Sequence, residues 1–136
     1  MIKPIMKSEF FLRLPSEDAG PDDAATGQDL LDTLHEHEHK CVGLAANMIG
    51  VRKRIICVKD GNRALLMYNP QILEQVNAYQ TSERCLSLIG ERPCTRYRRI
   101  KVEYLDENFV HRIKNFSGYT AEIIQHEIDH CTGIVI

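Results

Sequence analysis

The sequence predicts an α+β fold in which mainly antiparallel strands pack around a late helix. Three observations support this: leucines at helical spacing near residue 30, short β-like runs from residue 51 onward, and a second helical segment near the end. Runs this closely spaced leave no room for crossover helices, so neighbouring strands should pair antiparallel. At 136 residues the chain suffices for one hydrophobic core, and we expect a single domain over residues 1–136.

The first predicted helix follows a loop. The segment "PSEDAGPDDAATGQD" (15–29) is rich in Pro, Gly and Asp, and leucines then recur at helical spacing, which predicts a helix from the mid-twenties to about His39. The helix ends in "HEHEHK", where His35 and His39 stand four residues apart. We favour a helix-dipole explanation for these histidines over a metal site, because no third ligand lies nearby in the sequence.

The central part of the chain predicts strands and hairpins. Five runs have β-like composition: "RIICVK" (54–59), "ALLMYNP" (64–70), "ILEQVNAY" (72–79), "RRIKVEYLD" (98–106) and "FVHRIKNF" (109–116). Turn sequences lie at 60–62 and 106–108, so we expect hairpins that build small sheets. The segment "SGYTAEIIQHEIDHCTG" then predicts the second helix, which begins near Ser117 or Gly118 and stops at Gly133.

Charge and composition exclude several kinds of partner. The chain has 17 basic and 19 acidic residues, which gives no field strong enough to hold DNA or an anionic membrane. Neither a signal peptide nor a membrane span is evident, so we expect a soluble cytoplasmic protein. The five cysteines form an odd set without a CxxC pair, so no disulfide framework is expected.

The segment "QHEIDH" (125–130) contains two candidate metal ligands and a candidate acid or base. Four residues turn a helix by about 400°, so His126 and His130 project from one face and can hold a single metal ion. Glu127 lies about 100° around the helix from His126, where its carboxylate can hydrogen-bond to a metal-bound water without becoming a metal ligand. The pattern therefore predicts a metal site with an adjacent acid or base.

A third ligand must complete this site. No His or Glu follows His130, and Cys131 points away from the shared face, so the ligand is expected upstream. The segment "SERCLSLIGERPC" (82–94) offers Cys85, near arginines that favour a thiolate. Spacing alone leaves both Cys85 and Cys94 open.

Three segments in this order resemble the signature segments of the peptide deformylases: "GLAANMIG" (43–50), "ERCLS" (83–87) and "QHEIDH" (125–130). The resemblance implies a peptide-deformylase-like fold and assigns Cys85, His126 and His130 as ligands of one divalent metal ion per chain. In the family this ion is ferrous iron, and Zn²⁺, Ni²⁺ or Co²⁺ also suit the donor set. Glu127 would be the catalytic acid and base.

The resemblance also implies an activity and its partners. The chain is expected to remove the formyl group from N-formyl-methionyl peptides of nascent proteins, in transient proximity to the ribosome. The Leu86 N–H would donate to the oxyanion. Other positions would contact the substrate: Val42 and Gly43 would border the peptide backbone, and Arg92 and Ile123 would line the first side-chain pocket.

Two residues depart from the family pattern. Met48 stands where the family has a glutamine whose amide donates to the oxyanion, and a thioether has no hydrogen to donate. Loss of one such donor typically costs about 10² to 10³ in turnover; Asn47 would compensate only if its side chain turned inward. Arg84 replaces the glycine before the ligand cysteine. These changes motivate two alternatives: a catalytically impaired metal-binding paralogue that binds peptide N-termini, and another metal-dependent amidase.

Overall fold

The structure is a computed structural model that describes residues 1–136. Its helices are α1 (Glu9–Leu12), α2 (Ala24–Glu36) and α3 (Gly118–Cys131), and its strands are β1 (Gly43–Ala45), β2 (Ile55–Asp60), β3 (Arg63–Arg84), β4 (Glu91–Leu105) and β5 (His111–Ser117). A short 3₁₀ helix, Ala46–Ile49, follows β1. No helix has the length and apolar character needed to cross a membrane.

The five strands form one sheet in chain order, and every neighbouring pair is antiparallel. The predicted fold class is confirmed, but the strands do not form separate small sheets. They are joined because β3 is 22 residues long and pairs first with β2 and then with β4. The runs predicted at 64–70 and 72–79 are therefore two parts of one strand.

An irregularity near Asn69 explains why the sequence reads as two runs. Asn69 has a positive φ of 53°, and the β3–β4 register shifts between Tyr68 and Gln71. Asparagine tolerates this conformation better than most residues. Its side chain is also fixed, since the Ala19 N–H donates to Asn69 Oδ1 at 2.7 Å and Asn69 Nδ2 donates to the Ala19 carbonyl at 2.9 Å.

The two predicted helices are present with small changes in their bounds. Helix α2 ends at Glu36 rather than near His39, and His35 lies 3.3 Å from Glu38 without any metal-binding cluster around it. Helix α3 ends just before Gly133, as predicted. Gly133 has a φ of 79°, and a side chain there would clash with the Arg13 carbonyl, so glycine is required at this position.

Helix α3 is the centre of the core. It packs against β1, β2 and β4, and Ala121 and Ile124 on its inner face are fully buried. Helix α2 contributes Leu30 and Leu34 to the same apolar cluster. All five cysteines are free. Because α3 is packed on several sides, the residues of its buried face are held in fixed positions.

Candidate metal centre

Three potential metal ligands meet beside helix α3. His126 and His130 come from successive turns of the helix, and Cys85 follows the last residue of β3. Their ligand atoms all lie within 4.8 Å of one another, and Cys85 Sγ is 3.4 Å from His130 Nε2. Of the two cysteines left open by spacing, the structure brings Cys85 to the histidines. Cys94 lies on β4, paired with Thr81, and is not part of the cluster.

The donor set fits a divalent transition metal. One thiolate and two imidazoles suit Fe²⁺, Zn²⁺, Ni²⁺ and Co²⁺, and three protein ligands leave a coordination position for water or substrate. All three residues are buried. Burial, together with the charge of His126, lowers the pKa of His130 to about 3, so this imidazole is neutral. The pKa of His126 is instead raised to about 10, because Glu127, Cys85 and Glu83 outweigh the effect of burial, so a metal would displace a proton from this ring.

A chain of largely buried charged side chains supports the site. His126 Nδ1 lies 2.8 Å from Glu83 Oε1, which leaves Nε2 of the ring for the metal. Arg96 donates to both oxygens of Glu83 at 2.7 to 3.1 Å and to Asp129 Oδ2 at 2.6 Å. Burial alone would raise the pKa of Glu83, but the hydrogen bonds from His126 and Arg96 outweigh it and hold that pKa well below its ordinary value.

Sequence reasoning missed this network. Glu83 lies inside the quoted "ERCLS" segment and Asp129 inside "QHEIDH", but neither was assigned a role, and nothing marked Arg96 among the many arginines of β4. Only the pairing of β3 with β4 and the position of α3 bring the three side chains together. A carboxylate two residues before a candidate ligand cysteine was the one signal available in the sequence.

Glu127 is buried beside the three ligands. It is 4% exposed, and its Oε1 has no hydrogen-bond partner within the protein. Burial raises its pKa to about 7, against the opposing effect of the His126 charge. Gly43 permits this position, because a Cβ there would lie 2.7 Å from Ile123 Cγ2 and 3.0 Å from Glu127 Oε2. Glu127 therefore keeps one buried carboxylate oxygen without a hydrogen-bond partner beside the three candidate ligands.

A cleft of about 610 Å³ opens onto Cys85, His126 and Glu127. Of the predicted substrate contacts, Val42, Gly43, Met48 and Ile123 line it, as does Leu86. Further lining residues include Lys40, Arg84, Tyr119 and Glu122. Arg84 is therefore at the cleft, where it is largely exposed and pairs with Glu91 at 3.2 Å.

Arg92 is the exception among the predicted substrate contacts. It does not line the cleft. Its guanidinium donates to Glu9 Oε1 at 2.6 Å and to the Val135 carbonyl at 3.3 Å. The long side chain of Arg92 therefore pairs with α1 and with the backbone near Val135.

Neither Met48 nor Asn47 presents a side-chain hydrogen-bond donor to the cleft. Met48 is 1% exposed, and its sulfur accepts from the Ala45 N–H at 3.4 Å. Asn47 does not turn toward the cleft, because its Nδ2 donates to the His130 carbonyl at 2.9 Å. This wall of the cleft therefore presents a thioether where a glutamine would present an amide.

Comparison with known proteins identifies the family. A family model described as polypeptide deformylase matches residues 6–136. The chain belongs to the peptide deformylase family. Among its relatives, the peptide deformylase of Clostridium beijerinckii is 52% identical over 136 residues, which cover 100% of both chains.

Solved structures of the family have the same fold. The actinonin-bound class I type b peptide deformylase of Acinetobacter baumannii has a TM-score of 0.88 and 29% identity, with 99% of this chain and 95% of that chain covered. The Met-Ala-Ser-bound form of the Acinetobacter baumannii enzyme has a TM-score of 0.87 and 27% identity, with 99% and 96% covered. This family member is thus a metallohydrolase that acts on N-formyl peptides. The alternatives of an impaired paralogue or a different amidase are not favoured.

Proposed function

We propose that the chain removes the formyl group from N-formyl-methionyl peptides with a divalent metal held by Cys85, His126 and His130. The observation that carries this proposal is the convergence of these three donors within 4.8 Å, beside the buried carboxylate of Glu127 and at the base of a cleft. The family supports the reaction. A methionyl peptide bound to a related structure supports the substrate class.

Glu127 is the proposed acid and base. When bound, the metal supplies Lewis acidity that lowers the pKa of water toward neutrality. Glu127 takes the proton of the water that attacks the formyl carbon, and the carbon–nitrogen bond then breaks. The same carboxyl gives the proton to the departing nitrogen, so the products are formate and a free amine. The unpartnered Oε1 of Glu127 supports this role.

Substrate contacts follow from the cleft lining. Strand β1 is an edge strand that pairs only with β2, so the backbone near Val42 and Gly43 can bind an extended peptide as an added strand. The Ile123 side chain borders the pocket for the first side chain. The Leu86 N–H donates to the developing oxyanion. Because Met48 supplies no second donor to that oxyanion, we propose that turnover is slower than it would be with glutamine at this position.

The metal and the setting of the reaction complete the proposal. We infer ferrous iron as the native metal, since a thiolate with two imidazoles suits it and the family resemblance favours it. Zinc, nickel and cobalt fit the same donors. Formyl-methionyl N-termini arise on nascent chains, so the enzyme should act in the cytoplasm, transiently near the ribosome. Residues 1–136 would act as one domain, because α3 shares its core with the sheet.

Formate release from formyl-Met-Ala-Ser tests the activity. The protein is prepared anaerobically with iron, or with nickel as an oxidation-resistant substitute, and acetyl-Met-Ala-Ser serves as the matched control. We expect formate from the formyl peptide and no cleavage of the acetyl peptide. Equal cleavage of both peptides would support a general amidase instead, and no release from either would contradict the proposal.

A further inference from the structure

Two consecutive residues of the N-terminal segment contact two residues that line the cleft. The Met6 N–H donates to the Met48 carbonyl at 2.7 Å, and Lys7 Nζ donates to the Leu86 carbonyl at 2.8 Å. Met48 and Leu86 are the two positions at which oxyanion donors are expected. The segment that precedes α1 therefore bridges the 3₁₀ helix after β1 and the loop after Cys85.

The loop that carries Leu86 has few other hydrogen bonds. Within residues 86–90 the backbone makes one bond of its own, from the Leu88 N–H to the Cys85 carbonyl at 3.1 Å. The Lys7 ammonium supplies the hydrogen bond that reaches these residues from elsewhere in the chain. Leu86 and Leu88 pack partly against the core, but Ile89 is fully exposed and Ser87 Oγ has no partner.

An anchor on the Leu86 carbonyl affects the orientation of the Leu86 N–H. The two groups belong to adjacent peptide planes joined at one Cα, so fixing one plane limits the rotation of the other. Oxyanion stabilisation depends on a donor already aimed at the place where charge develops. In this chain that dependence is strong, because Met48 offers no second side-chain donor.

We propose that Lys7 is a positioning residue that holds the Leu86 N–H in place for the oxyanion. The inference rests on the proposed function of Leu86 and adds to it a residue far away in sequence. Lys7 contacts neither the substrate nor the reacting atoms. Its removal should therefore lower kcat while leaving KM and metal content close to their wild-type values.

The kinetic test compares Lys7→Met with two other variants. We expect kcat of Lys7→Met to fall by about 3- to 10-fold, the range for loss of one ordinary hydrogen bond. Lys7→Arg keeps a cationic donor and should recover most of the rate. Lys3→Met removes a nearby lysine that pairs instead with Asp29 at 3.9 Å and should leave kcat unchanged. A wild-type kcat for Lys7→Met, or an equal loss for Lys3→Met, overturns the proposal.

A double-mutant cycle tests whether Lys7 acts through the oxyanion donor. If Met48→Gln supplies a second donor, the rate lost with Lys7→Met should shrink in the Met48→Gln background. A purely structural role would give the same fold-loss in both backgrounds, which would contradict the inference.

Hydrogen exchange provides a readout that does not require turnover. Lys7→Met should speed amide exchange of the peptide covering residues 85–90, and Lys3→Met should not. Unchanged exchange in Lys7→Met overturns the inference even if the wild type is active. Faster exchange in a chain that releases no formate would instead locate the failure in the proposed function.

Discussion

The Nδ1 atom of His126 lies 2.8 Å from Oε1 of Glu83, and this contact links the metal centre to the sheet. Glu83 is 8% exposed and Arg96, which pairs with it, is 5% exposed. Arg96 also reaches Asp129, one turn along α3 from His126. Glu83 therefore orients the ring of His126. Glu83 itself is held by Arg96 of β4, which also pairs with Asp129 of α3.

Glu83→Gln should weaken metal binding. The amide keeps the shape of the carboxylate, but it removes the charge that favours donation from His126 Nδ1 and pairs with Arg96. We expect metal affinity to fall by about 10- to 100-fold, measured by competition with a chelator using cobalt. Glu74→Gln, on the exposed part of the same strand, is the control and should bind metal like the wild type.

Met48→Gln should raise the rate. The substitution supplies an amide donor at a buried position that lines the cleft, and one oxyanion donor is typically worth about 10² to 10³ in kcat. Steady-state formate release measures the effect. Met48→Leu is the matched control, because it changes the shape without adding a donor. A comparable gain in both variants would show that shape, and not donation, limits the wild type.

Gly43→Ala should impair catalysis without removing the metal. The added Cβ would lie 2.7 Å from Ile123 Cγ2 and 3.0 Å from Glu127 Oε2, so the carboxylate or the helix must shift. Misplacing a catalytic group by about 1 Å can cost around 10² in rate. Gly20→Ala, where nothing lies within 4 Å of the added atom, should retain wild-type activity. Wild-type kcat in Gly43→Ala would show that Glu127 does not need this space.

Asp106 should make stability depend on pH at a site away from the metal. Its Oδ2 accepts from Arg112 Nε at 2.9 Å, and its Oδ1 accepts from the Val110 N–H at 3.0 Å. These contacts lower the pKa of Asp106 in the folded chain. Its contribution to stability is thus fully present above the unfolded pKa of about 3.9 and is lost as pH falls through the lower folded value.

Urea unfolding of wild type and Asp106→Ala across this range measures that contribution. The variant should have the lower midpoint at neutral pH, and the two midpoints should converge as the solution is acidified. Comparison at each pH cancels the acid sensitivity of the metal site. A constant difference between the two proteins would contradict the assigned pKa.

Much of the fold could be predicted because its signals are local. The spacing of His126 and His130 fixes their common face on any helix, and the turns at 60–62 and 106–108 set the hairpins. The prediction of two separate strands was wrong near Asn69, where the sequence of an irregularity within one strand resembles a break between two. A bulge and a turn use the same residue types, so composition alone does not separate them.

The rest of the site depends on long-range pairing. Spacing did not separate Cys85 from Cys94. The family resemblance assigned Cys85, and its position at the end of β3 beside α3 supplies the physical reason. Glu83 and Arg96 meet across β3 and β4, and Arg92 pairs with Glu9 of α1. Each of these facts follows from strand register and side-chain partners far apart in the sequence, which periodicity cannot supply.

The most direct test of the proposed catalysis is the turnover of Glu127→Gln at matched metal occupancy. The substitution keeps the size of the side chain but removes its capacity to accept a proton from water. We expect unchanged metal content and a kcat for formyl-Met-Ala-Ser lower by about 10² to 10⁴. A metal-loaded Glu127→Gln protein that releases formate at the wild-type rate would contradict the proposed role of this carboxylate.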